Sequence, residues 1–192
     1  MGTDDEMVKK SQGIDVKRKI RRQWGIDEKD FLIMNGGKID QWKKQTLLLM
    51  DAVNQISRKD VKLIVFGSVT DELRAEVEKR CSDKVQYIGW LKSEESYEYF
   101  AASDLVVFPG RHSVFWEQVA GQGIPMVCKY WDGTTHVDLG GNVVFLHEDN
   151  TEEITNAIEK LLSPDEYAKI KEAAEKAKTS FLYSDIAKRS II

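Results

Sequence analysis

The chain has 192 residues, 42% hydrophobic and 31% charged, enough for one well-cored globular domain and short for two. A net charge of −4 supplies no general attraction for nucleic acid or acidic lipid. No apolar run approaches the roughly 20 residues that span a bilayer, and Cys81 and Cys128, far apart and outside any CxxC, fit a reduced cytoplasmic interior.

The opening MGTDDEMVKK is charged and lacks an apolar signal core, so residues 1–12 read as a leader, in part left over from expression, and 13–192 as the domain. The first apolar run, Phe31–Met34, leads into Asn35-Gly36-Gly37-Lys38, then Lys43 and Lys44 at the start of a predicted helix over 42–56. Trp42, Thr46, Leu49, Met50 and Val53 fall on one face of that helix. The two glycines would admit a ligand to the backbone, and free N–H groups with lysine charges favour phosphate. The same residues also fit a tight turn with solvated lysines. Neither GxxxxGK[ST] nor a post-strand GxGxxG occurs, which weakens ATPase and NAD readings.

The second run, Leu63–Phe66, ends in Gly67-Ser68, ahead of a helix with Thr70 as N-cap, Asp71 and Glu72 in its first turn, and Leu73 and Val77 inward. The third, Val85–Ile88, meets Gly89-Trp90-Leu91, where Trp90 either walls off a planar base or simply packs. Ser93 can cap a helix over 94–102.

The fourth run, Leu105–Phe108, delivers the densest polar stretch. Gly110 permits a turn, Arg111 offers a fork suited to phosphate oxygens, and the N–H groups of His112, Ser113 and Val114 point from a helix start toward an anion. Phe115, Trp116, Val119 and Ala120 share a face, with Glu117 off it. Glu117 would accept two hydroxyl hydrogen bonds, as a ribose offers, or sit exposed in the helix dipole. His112 also reads as a solvated loop histidine. Four anion- or hydroxyl-seeking groups within seven residues favour function.

Gly121 and Gly123 end that helix before the fifth run, Met126–Cys128. The loop Lys129–His136 is polar and aromatic, lining a cleft or running over the surface. After the sixth run, Val143–Leu146, residues Ile154, Ala157, Ile158, Leu161 and Leu162 form a helical stripe, and Ser163-Pro164-Asp165 starts another helix. Three histidines with no Cys or carboxylate at ligand spacing predict no metal, and the absence of GxSxG argues against a serine hydrolase. The strand runs are continuous rather than alternating, as in sheets covered on both faces. Their alternation with helices predicts a Rossmann-like, doubly wound parallel sheet of about six strands with C-terminal helices, binding ligand beyond the strand ends.

In this order and spacing, from about Gly13 to Arg189, the chain resembles the C-terminal, nucleotide-sugar-binding half of a two-Rossmann-domain (GT-B) glycosyltransferase, in the pattern of family 4 (group 1). Residues 13–16 are similar to the interdomain segment that opens such halves. Gly37-Lys38 with Lys43 and Lys44 resembles the family's Gly-Arg…Lys diphosphate clamp. Val65-Phe66-Gly67-Ser68 resembles its second strand and turn, and Gly89-Trp90-Leu91 lies where members contact the base. Residues 102–109 and 117–125 are similar to the segment leading to the signature loop and to its Glu-led helix. The motif's first glutamate falls at Pro109 here, so Arg111 or His112 would substitute for it as donor-side candidates; no catalytic residue is assigned.

The resemblance implies donor binding by Gly37, Lys38, Lys43, Lys44, Gly67, Ser68, Gly89, Trp90, Leu91, Ser113, Val114 and Glu117, the last on ribose. It implies transfer of a sugar from a nucleoside diphosphate sugar with retention, in polysaccharide or glycoconjugate synthesis, with no metal or other cofactor. It further implies a missing N-terminal acceptor-binding domain of about 150–200 residues, a last helix over 184–192 that packs back on it, and a full-length enzyme that is cytoplasmic or peripheral at the inner face of the membrane. By itself the chain would be inactive. A sugar-nucleotide epimerase of the same architecture, or a non-catalytic binding domain, are the alternatives.

Overall fold

The computed structural model describes residues 2–191. Six strands, β1 (Phe31–Gly36), β2 (Val61–Phe66), β3 (Val85–Tyr87), β4 (Leu105–Phe108), β5 (Met126–Lys129) and β6 (Val143–Leu146), form one parallel sheet in the order β3-β2-β1-β4-β5-β6. Along each strand successive side chains point to opposite faces. Leu32, Met34, Val106, Phe108, Met126 and Cys128 enter one core layer, and Ile33, Leu105, Val107 and Val127 enter the other. Both faces are buried, which is why the strands are apolar without alternation.

On one side pack α2 (Ile14–Gln23), α5 (Ser93–Ala102) and α6 (Phe115–Gly121), burying Ile20, Phe100, Trp116 and Val119. On the other lie α3 (Gln45–Gln55), α4 (Asp71–Lys79), α7 (Thr151–Leu161) and α8 (Pro164–Ala177), burying Leu49, Met50, Val53, Val77, Ile154, Ile158 and Ile170. Each such aliphatic side chain contributes about 1.5–3 kcal/mol on leaving water. Pro164 stands in the first turn of α8, where its missing N–H costs nothing.

Four expectations shift. The helix expected over 42–56 begins at Gln45, because Asp40 Oδ1 accepts the N–H groups of Trp42 (2.9 Å) and Lys43 (3.1 Å) in a turn. Trp42 therefore leaves the core face and stands 69% exposed. Lys92 rather than Ser93 is the N-cap of α5, its N–H held by the Glu95 carboxylate at 2.9 Å, and Thr70 caps α4 by position without a side-chain bond. The residues expected as a leader pack on the rest of the chain. Residues 5–11 form α1 (Asp5–Ser11), and Thr3 is buried, donating its N–H to Phe181 O (2.8 Å) and accepting from Tyr183 N–H (3.0 Å). The last helix, α9 (Tyr183–Arg189), starts beside that strap; Ile192 lies outside the described residues.

At the amino end of the sheet sits a charged network. Arg21 is buried, donating to Ala102 O, Asp27 O and Asp30 O and pairing with Asp104 Oδ2 at 2.5 Å. Leu32 N–H and Lys17 also reach the Asp104 carboxylate, and the Tyr167 hydroxyl donates to its carbonyl.

Candidate functional site

Strand order reverses between β1 and β4, since the chain winds outward from them in opposite directions. At such a switch point the loops after the two strands part and leave a crevice at their carboxyl ends. Its floor is fixed by Asn35, whose Nδ2 donates to Val107 O (2.7 Å) while its Oδ1 accepts from Thr46 Oγ1 (3.2 Å).

Above the floor, a hollow is lined by Gly37, Lys38, Lys43, Gly110, Arg111 and Ser113, among others. Lys38 is exposed and pairs with Asp40 at 3.2 Å. Lys43 and Arg111 form no ion pair among the described residues, so the hollow carries uncompensated positive charge. The Arg111 guanidinium instead lies over the Trp42 ring, 5.1 Å from its centroid. The N–H groups of His112, Ser113 and Val114 have no partner among the described residues. The N–H of Gly37 is not free as expected: it donates to Phe66 O at 3.0 Å. Gly67 is required here, because its φ is +129° and a Cβ would come within 1.9 Å of Gly37 O.

A second hollow adjoins the first through Gly37 and Lys38 and is lined by Gly67, Ser68, Trp90, Leu91 and Phe115. Trp90 is exposed there, presenting an aromatic face to solvent rather than packing inward. The Gly89 carbonyl accepts the Gly67 N–H (2.8 Å), holding the two loops together. A third hollow, lined by Arg111, His112 and Trp131, continues the cleft on the other side. The 129–136 loop thus lines the cleft. Lys44 stands outside these hollows as the exposed N-cap of α3.

Glu117 departs most from expectation. It is fully buried, not an exposed helix glutamate, since α6 is enclosed from Trp116 to Gly121. Its Oε1 meets Nε2 of His112 at 3.0 Å and Nε2 of His136 at 2.7 Å, while Oε2 is buried without a partner. The direct approach of a ribose to this carboxylate is covered by the two imidazoles. Burial pushes the Cys128 thiol well above its ordinary range, and the Glu117 charge adds to that rise.

The fold therefore gathers Gly37, Lys38, Lys43, Gly67, Ser68, Trp90, Leu91, Arg111, His112 and Ser113 along one rim, with Glu117 beneath. Trp42 and His136 escape sequence reasoning as site residues. Trp42 matches a helical period, and His136 sits 19 residues from Glu117 in a loop with no spacing rule to join them.

A family model for glycosyl transferases group 1 matches residues 30–164. Among solved structures, the fold is similar to HepE from Anabaena, solved in complex with UDP (20% identity, 99% of this chain, 54% of that one, TM-score 0.81). It is also similar to WaaG, a glycosyltransferase involved in lipopolysaccharide biosynthesis (19% identity, 98% and 54%, TM-score 0.76). The C-terminal domain of a group 1 family protein, LpcC, from Francisella tularensis matches over 93% of this chain and 97% of its own, at 17% identity and TM-score 0.73. The chain thus spans about half the length of HepE and WaaG. A sequence search of curated proteins gives no match. No helix among the described residues is long and apolar enough to cross a membrane. The family match covers all six strands of the parallel sheet and both loops of the switch point, and on it the chain belongs to the glycosyl transferases group 1.

Proposed function

We propose that this chain is the donor-binding half of an enzyme that moves a sugar from a nucleoside diphosphate to an acceptor, with retention, in the building of a polysaccharide or glycoconjugate. The observation that carries the reading is the unneutralised hollow between β1 and β4, lined by Lys43, Arg111 and Ser113, with the N–H groups of 112–114 beside it left without partners among the described residues. A diphosphate seated there places its base toward Trp90 and Leu91 and its sugar toward Arg111, His112 and Trp131. As the bond from the anomeric carbon to the leaving oxygen breaks, its electron pair stays on the diphosphate. Fixed cations and N–H dipoles favour that charge without reorganising.

The ribose contact implied for Glu117 requires His136 to leave Oε1. His136 is the movable member, being exposed and carried on an irregular loop. By itself the chain binds donor without turnover, because closure over an acceptor needs the remaining half seen in its longer relatives.

A thermal-shift panel of UDP-, GDP-, ADP- and dTDP-sugars tests this. One of them at 100 times its dissociation constant stabilises the chain by about 2.7 kcal/mol. The isosteric Glu117→Gln variant and a Lys43→Ala, Arg111→Ala double variant lose most of that shift. No shift with any of the four overturns the reading.

A further inference from the structure

A fully buried carboxylate is costly unless hydrogen bonds, a countercharge or a metal engage its oxygens. Glu117 has no lysine or arginine partner among the described residues; its basic neighbours are two imidazoles. Both imidazoles converge on Oε1, and Oε2 is left buried and unpartnered.

The donor atoms of His112, Glu117 and His136 all lie within 4.8 Å of one another. A tetrahedral zinc ion about 2.0–2.1 Å from each ligand sets ring centroids of two Nε2-bound histidines about 5.2 Å apart. Here those centroids are 5.5 Å apart. The Nε2–Oε1 distances of 3.0 and 2.7 Å need to open by a few tenths of an ångström toward the roughly 3.3 Å of such a site. The His112 ring is preset, held edge-on against Trp116 at 5.0 Å. Its side chain is 20% exposed and that of His136 43%, so a fourth position opens to solvent beside Arg111 and Trp131. Two imidazoles and one carboxylate suit a borderline ion such as zinc over calcium or magnesium, which take oxygen ligands.

We propose that His112, Glu117 and His136 bind one divalent ion of the zinc class, tying the β5–β6 connection to α6. The spacing of the three histidines predicts no metal; tertiary structure brings His136 to Glu117 from 19 residues away. The ion rests on geometry apart from the donor reading, but on that reading ion and ribose compete for the one Glu117 carboxylate, so each is tested in the absence of the other.

The test uses the chelator-stripped chain carrying Cys81→Ser, which removes an exposed thiol that would compete for metal. Calorimetric titration with zinc chloride gives one equivalent bound, and cobalt(II) gives the visible absorption of a tetrahedral site. Zinc at 100 times its dissociation constant raises the unfolding midpoint by about 5–10 °C. His136→Ala, on an exposed loop, and His112→Ala each weaken binding at least about tenfold, while His147→Ala leaves it unchanged. Absence of zinc uptake, or affinity retained in the folded His136→Ala variant, overturns the proposal. A chain that binds a nucleotide sugar but not zinc loses the ion alone, and one that binds zinc but no nucleotide loses the donor reading alone.

Discussion

Asp104 and Glu117 lie on either side of β4, at opposite rims of the sheet, and each holds its charge differently. Asp104 is met by two permanent cations, Arg21 and Lys17, and by the Leu32 N–H, so both of its oxygens are engaged. Glu117 is more deeply buried, yet two imidazoles crowd one oxygen and leave the other unpartnered. The lower rim is satisfied within the chain and serves stability. The upper rim keeps unpaired cations, unpartnered N–H groups and half a carboxylate, the features of a surface completed by a ligand.

The largest effect falls on the lower rim. Arg21→Ala removes the buried guanidinium and leaves three carbonyls and Asp104 without it, a loss of about 3–5 kcal/mol in urea unfolding. Nucleotide-sugar binding below the new midpoint is retained. Equal loss from Arg21→Ala and Glu117→Gln would erase the contrast between the rims.

A smaller effect concerns Tyr167, whose hydroxyl is pushed well above its ordinary 10.0, chiefly by burial and further by Asp104. The unfolded chain releases this proton first as pH rises. The contribution is therefore complete below pH 10 and is lost as pH climbs from there toward the folded value. Tyr167→Phe costs about 1 kcal/mol at neutral pH and removes that part of the alkaline decline, read from unfolding midpoints across pH 8–11.

The smallest stability effect belongs to the upper rim. Lys38→Ala removes an exposed ion pair with Asp40 and changes stability by less than about 0.5 kcal/mol. The same variant weakens nucleotide-sugar binding, and the parent's affinity falls with added salt. A stability loss matching that of Arg21→Ala would place Lys38 in the framework rather than the site.

Much of this organisation is legible along the chain. Leu105–Phe108 and Val143–Leu146 are strands at the residues expected, because continuous apolar runs between helices have few other uses in a short domain. The glycine and lysine turn after β1 and the Arg111–Ser113 stretch after β4 do meet, since both leave the carboxyl ends of central strands. Trp42 misleads because a period of 3.6 fits it, while Asp40 captures the backbone first and delays the helix. The packing of residues 2–12 is not legible, because charge is visible in sequence and the Thr3 strap to Phe181 and Tyr183 is not.

What the sequence determined by itself is the layered α/β plan and the rim where a ligand would lie, because hydrophobic period and turn chemistry act over a few residues and are written locally. What the tertiary structure decided is the state of Glu117: its burial, its shared oxygen, and its meeting with a histidine from another loop. Side-chain charge is set by whatever surrounds it in space, and those neighbours are assembled by the winding of the sheet rather than by proximity along the chain.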